Sequence, residues 1–136
     1  MTLNPKIWFT YLKFILISIS LYYPKYPNDV TKKKYYDFIQ NLPLYFPEYP
    51  MGNNFIKYLE FHPLTPYLDS RESFIKWIHY INNKISLDLN MEQETLEETF
   101  KKYYDNYKPK KKKKNKKYTH IFLICLIILL VFINFL

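Results

Sequence analysis

Apolar residues recur at helical spacing in five stretches of this chain, and no stretch alternates convincingly as a strand. The first runs from about Pro5 to Tyr23. Asn4 followed by Pro5 makes a good helix start, with proline at the first helical position. Lys13 interrupts the run and no small-residue cleavage site comes after it, so it reads as a core helix, with a signal anchor as the alternative. Asn28 or Asp29 can cap the second stretch, where Tyr35, Phe38, Ile39 and Leu42 share a face before Pro43 stops it. A short third, "NNFIKYLEF", turns Phe55, Tyr58 and Leu59 inward, and the two prolines of "HPLTPYL" then break the chain. The fourth is the strongest: Asp69 with Glu72 has capping-box geometry, and Phe74, Trp77, Ile78, Ile81 and Ile85 form the apolar stripe. The fifth covers about Glu92–Tyr107 and aligns Leu96, Phe100, Tyr103 and Tyr107. Residues 1–107 therefore predict an all-α domain, a four-helix bundle plus a short fifth helix.

Beyond residue 107 the chain changes character. Residues 108–117, "KPKKKKKNKK", hold eight lysines and no acid. Ile121–Leu136 is an apolar run whose one strongly polar residue is Asn134. At about 1.5 Å per residue it reaches roughly 24 Å, a little short of a ~30 Å hydrocarbon core, and Tyr118 to His120 extend it through the interface. The pattern predicts a polylysine linker and a C-terminal transmembrane anchor over 118–136. Lysines favour the cytosolic side, which puts the folded domain there.

Charge and composition narrow the chemistry. The formal charge is +8, but setting the eight linker lysines aside leaves twelve basic residues against twelve acidic ones. A nucleic-acid-binding domain carries its basic face on the folded part, so no nucleic-acid partner is expected. Alanine is absent, and the 15 tyrosines and 11 phenylalanines fit an AT-rich base composition. Cys125 is the one cysteine, and His62, His79 and His120 are scattered, so neither an intrachain disulfide nor a metal site is predicted.

The order of motifs is more specific. Trp8 lies early in the first helix and "YYPKYP" closes it. "FPEYPMGNNF", residues 46–55, holds two prolines and the one glycine, and the long fourth helix reads Trp77 to Asn82-Asn83 with Ile85 and Leu89 beyond. This order resembles the Erv/Alr family of FAD-linked sulfhydryl oxidases, particularly the short forms carried by large DNA viruses. The resemblance implies that family's helical fold, FAD as cofactor, and protein thiols or a redox partner protein as partners. By analogy it also implies a homodimer, and a host or virion membrane for the anchor. In the family the first helix reads Trp-x-x-Leu-His; Trp8 fits the Trp, Tyr11 stands at the Leu and Leu12 at the His. The long family helix reads Trp-x4-His-Asn-x-Val-Asn-x-x-Leu. Trp77, Asn83, Ile85 and Leu89 match it or are conservative, while Asn82 replaces the His and Ser86 the second Asn. The cofactor-binding residues implied are thus Trp8, Tyr11, Trp77, Asn82, Asn83 and Ser86. His79, one turn before Asn82, is a candidate substitute for the missing His, and Trp8 and Trp77 fit plain core positions equally well.

The stretch at 46–55 aligns with the family's Tyr-Pro-Cys-x-x-Cys-x3-Phe: Phe46, Pro47 and Phe55 are in place, Glu48 stands at the first cysteine and Met51 at the second. Thiol oxidation of this kind needs a thiolate to attack a disulfide, and the dithiol formed then passes two electrons to the flavin. A carboxylate has no such chemistry, and a thioether can be oxidised but cannot exchange with thiols. No catalytic residue is therefore assigned, and the family's usual mechanism cannot run within this chain alone. A non-catalytic, membrane-tethered interaction module of the same fold is the competing expectation.

Overall fold

The computed structural model describes residues 4–46 and 51–109, together with residues 122, 124, 128, 130, 131 and 133. Five helices succeed one another: α1 (Pro5–Tyr22), α2 (Asp29–Asn41), α3 (Met51–Phe61), α4 (Arg71–Asp88) and α5 (Leu96–Asp105). Short 3-10 turns at Leu42–Tyr45 and Thr65–Asp69 lead into α3 and α4. The all-α expectation thus holds for the domain. Glu48, residues 110–117 of the polylysine linker and most of the apolar run lie outside the described residues. Among those described, no helix is long and apolar enough to cross a membrane.

The core is built on α4, whose predicted stripe of Phe74, Trp77, Ile78, Ile81 and Ile85 is at most 2% exposed. α1 makes its main packing against α4, burying Phe9 and Leu16, and Ile39, Phe55, Leu59 and Leu64 complete the cluster. Asn4 caps α1 by accepting from the Lys6 amide, and Asn28 caps α2 by accepting from Thr31. The one glycine is explained by close approach. A Cβ on Gly52 would lie 3.1 Å from the Pro43 carbonyl oxygen, so glycine lets the first turn of α3 sit against the preceding 3-10 turn.

Three local expectations are corrected. α4 is capped by Ser70, whose hydroxyl accepts from the Ser73 amide at 3.1 Å, and not by Asp69. The 3-10 turn claims Asp69 as its last residue, and its carboxylate pairs instead with Lys32 at 2.7 Å. α5 begins at Leu96, later than predicted, because Thr95 and Glu98 form a complete capping box. Its buried side is Thr99 and Tyr103, while Tyr107 is 64% exposed. On α2, Phe38 is 41% exposed, and Ile39 and Leu42 carry the burial.

Between α1 and α2 the Tyr-Pro closure is a fixed corner. Tyr23 is fully buried, and its hydroxyl donates to the Leu68 carbonyl at 2.7 Å. Burial, helped by Tyr35 and Asp69, pushes its phenol up to about 12. Arg71 Nε donates to the Tyr23 carbonyl, so the start of α4 holds the end of α1.

Candidate functional site

Three groups of residues meet along α1 and α4. The first surrounds the turn before α3. Trp8 is half-buried and meets Phe46 edge-on at 5.0 Å, and Phe46 meets Phe55 in the same way at 5.2 Å. Such pairs add roughly 0.5–1.5 kcal/mol each beyond the area they bury. This chain of rings frames the first residue of α3, Met51, which is 7% exposed. At the position where the resemblance expects a redox sulfur, the protein therefore holds a buried thioether.

The second group is the inner face of α4. Trp77 is 2% exposed, and its indole N–H donates to the His62 carbonyl at 3.0 Å. Asn82 and Ser86, one turn apart on the same face, are 0% and 1% exposed. Neither the amide nitrogen nor the amide oxygen of Asn82 has a hydrogen-bond partner among the described residues, and the same holds for the Ser86 hydroxyl. A buried polar group left unpaired costs about 1–3 kcal/mol, so three adjacent ones are costly unless a further polar group pairs with them.

The third group is a polar network one step round the helix. Asn83 donates to the Glu94 carbonyl at 2.8 Å and accepts from the Glu94 amide at 3.1 Å, clamping the α4–α5 connection. The Glu94 carboxylate receives Lys13 of α1 at 2.7 Å, Lys102 of α5 at 2.9 Å and the Thr99 hydroxyl at 3.2 Å. Burial alone would raise the Glu94 carboxyl; the hydrogen bonds from Lys13 and then Lys102 outweigh it and hold the group below its usual range. His79 bridges Thr99 and the Asn83 amide through its two ring nitrogens. Burial first, then repulsion from Lys13, pushes its imidazole below its ordinary value.

The six residues implied as cofactor contacts therefore separate. Trp8 stands beside the α3 turn, and Asn82 and Ser86 share one unsatisfied face. Asn83 is committed to the clamp, Trp77 to the His62 carbonyl, and Tyr11 is 68% exposed on the outer face of α1. Sequence reasoning did not find the Lys13–Glu94–Lys102 network. A lysine interrupting an otherwise apolar first helix was the available signal.

No family model and no curated protein matches this chain. Solved structures do. The crystal structure of the yeast Erv1 core matches with a TM-score of 0.62 and 23% identity, over 71% of this chain and 80% of that one. A cysteine-to-serine double mutant of Erv1 from Saccharomyces cerevisiae matches equally well. The chain has the Erv/Alr-like fold. Within that Erv-like bundle, α4 carries one amide that can both donate and accept, and one hydroxyl, all buried and unpaired among the described residues.

Proposed function

We propose that this chain is a flavin-holding, membrane-tethered member of the sulfhydryl-oxidase fold, whose thiol chemistry needs cysteines from another chain. The observation that carries this reading is the unpaired buried trio on Asn82 and Ser86 within an Erv-like bundle. When bound, FAD supplies acceptance of two electrons from a dithiol and their passage to dioxygen. The chain's own part is to hold and shield. Asn82 and Ser86 offer hydrogen bonds from a face with no access to water, and the Trp8–Phe46–Phe55 rings wall the side nearest α3. Met51 at the head of α3 excludes water but can neither form a disulfide nor exchange with one. A substrate dithiol or a redox partner's cysteines would have to come to this turn.

The tether is read from the eight lysines of 108–117 and the apolar run after them. Phe122, Ile124, Ile128, Leu130, Val131 and Ile133 are helical and between 51% and 70% exposed, which suits a lipid-facing surface. This topology puts the domain on the cytosolic side. Pairing of two copies is read from α1, where Ile7, Tyr11 and Ile15 recur four residues apart and are 50–68% exposed.

The deciding measurement is the visible spectrum of the purified full-length chain with and without added FAD. We expect a bound flavin that the change Asn82→Leu, combined with Ser86→Ala, abolishes. We also expect no dithiothreitol-dependent oxygen consumption beyond that of free FAD. Introducing Glu48→Cys with Met51→Cys should then raise that consumption if flavin is bound. A colourless protein that takes up no FAD would sink the reading and favour a cofactor-free interaction module. One observation supports that second reading: Asn83 and Trp77 are already fully used in holding the fold together.

A further inference from the structure

The hydrogen bonds around His79 have their directions fixed from both sides. The Glu94 N–H donates to Asn83 Oδ1 at 3.1 Å, and the Glu94 C=O accepts from Asn83 Nδ2 at 2.8 Å, so the orientation of this amide is set by backbone groups. The second hydrogen of Asn83 Nδ2 is the one available to His79 Nε2, 3.2 Å away, which must accept it with a lone pair. On the other side of the ring, the buried Thr99 hydroxyl gives its one hydrogen to the Glu94 carboxylate at 3.2 Å. Its oxygen is left to accept from His79 Nδ1 at 3.3 Å. Both ends of the chain of bonds agree: His79 carries its proton on Nδ1 and none on Nε2. What hangs on this arrangement is α5, whose buried residues are Thr99 and Tyr103. Its hold on the bundle combines the Phe14–Tyr103 stack and the Ser18–Tyr103 bond with the polar chain through Asn83, His79, Thr99 and Glu94.

We propose that His79 is an acid-sensitive latch for α5: a proton on Nε2 turns the acceptor of the Asn83 amide into a donor facing it, and α5 undocks from the bundle as pH falls below neutral. Two N–H groups then oppose each other. Asn83 cannot answer by flipping, since that would set its oxygen against the Glu94 C=O and its nitrogen against the Glu94 N–H. It relieves the clash by giving up the clamp. The charges that face the imidazole do not decide the outcome. Lys13 of α1 repels the added proton and Glu94 attracts it, while Lys102 of α5 shares the Glu94 carboxylate and is itself acted on by Glu92 and Glu98. Burial first, then Lys13, keeps the folded imidazole below its ordinary value, which holds the latch closed at neutral pH. In the undocked state the ring meets water and takes its proton more readily, so opening and proton uptake drive each other. Undocking bares Phe14, Ile17 and Tyr103 and frees the helix that leads into the lysine-rich stretch 108–117. The proposal stands independently of whether flavin is held by α4.

The test uses the full-length chain in a non-ionic detergent. NMR of the histidine ring nitrogens at about pH 7 is expected to find the His79 proton on Nδ1. Hydrogen exchange, corrected for the chemical rate at each pH, is expected to show the α5 amides losing protection by about fivefold or more between about pH 7 and pH 5. They should stay less protected than those of Ile78, Ile81 and Ile85 in α4 throughout, because α5 opens without the core. His79→Gln, which takes up no proton, should remove most of the pH dependence of α5. His62→Gln, whose native ring pairs with Tyr80, should leave that dependence as it is in the unaltered chain. A proton on Nε2 at neutral pH, α5 protection that stays level between the two pH values, or α5 amides exchanging in step with those of α4 would each overturn the proposal. These three readings need no variant, so they decide even where His79→Gln fails to fold. The same loss of protection in a folded His79→Gln chain would overturn it as well.

Discussion

Asn82 and Asn83 are neighbours with the same side chain, and their situations are opposite. The Asn83 amide reaches outward from α4 and closes a two-bond clamp on the Glu94 backbone, so both its nitrogen and its oxygen are used in holding α5 against the bundle. The Asn82 amide, about 100° round the helix, lies in the core and finds no partner among the described residues. Satisfied buried polar groups fix a fold, while unsatisfied ones lower its stability and persist where something else supplies the partner. The difference separates an asparagine committed to the fold from one left without a partner among the described residues, although the resemblance to the Erv/Alr family assigns both to the cofactor.

The comparison can be tested by substitution, beginning where the effect is greatest. Glu94→Ala should destabilise the domain by about 3–5 kcal/mol, since it leaves the Lys13 ammonium largely buried without its counter-charge. The Asn83 clamp would survive that change, because its bonds are to the Glu94 backbone. Urea unfolding tracked by circular dichroism measures the loss. Asn83→Leu should cost less, roughly 1–3 kcal/mol, by stranding the Glu94 N–H and C=O. Asn82→Leu should go the other way in cofactor-free protein, neutral or stabilising by about 1 kcal/mol, because an unpaired amide is replaced by an apolar group of similar size. If Asn82→Leu proves as costly as Asn83→Leu, the contrast between them fails. Adding FAD should reverse the order of Asn82→Leu and the native chain in thermal melts, since a ligand stabilises the state that binds it.

The smallest effect concerns pH. His79 titrates below its ordinary value of 6.5 in the folded protein, so the unfolded chain binds its proton more readily. Stability from this group is therefore full above about 6.5 and is lost as pH falls through the folded value. His79→Gln should flatten the decline in melting temperature between about pH 7 and pH 5. Glu94, also held low, adds its own loss only in stronger acid, as pH falls through a folded value below its ordinary 4.5. An unchanged slope in His79→Gln would mean that the imidazole does not take part in the network.

Periodicity and capping chemistry determined the five helices, the buried stripe of α4 and the cap at Asn4, because these depend on residues within one or two turns of each other, while the choice of Asn28 over Asp29 as the α2 cap was left open. The absence of a redox pair was equally plain in the sequence, since no other residue type can do a thiol's exchange chemistry. Tertiary structure decided the rest. Asp69 and Ser70 are both good caps by residue type, and the 3-10 turn assigned the role to Ser70. Tyr103 and Tyr107 both stack on Phe14 of α1, and docking buried Tyr103 while Tyr107, beyond the end of α5, stayed 64% exposed. Lys13 became the partner of a carboxylate 81 residues away, and Asn82 and Asn83 took opposite states. Those outcomes depend on what each side chain meets across helices, and helical spacing carries no information about partners far along the chain.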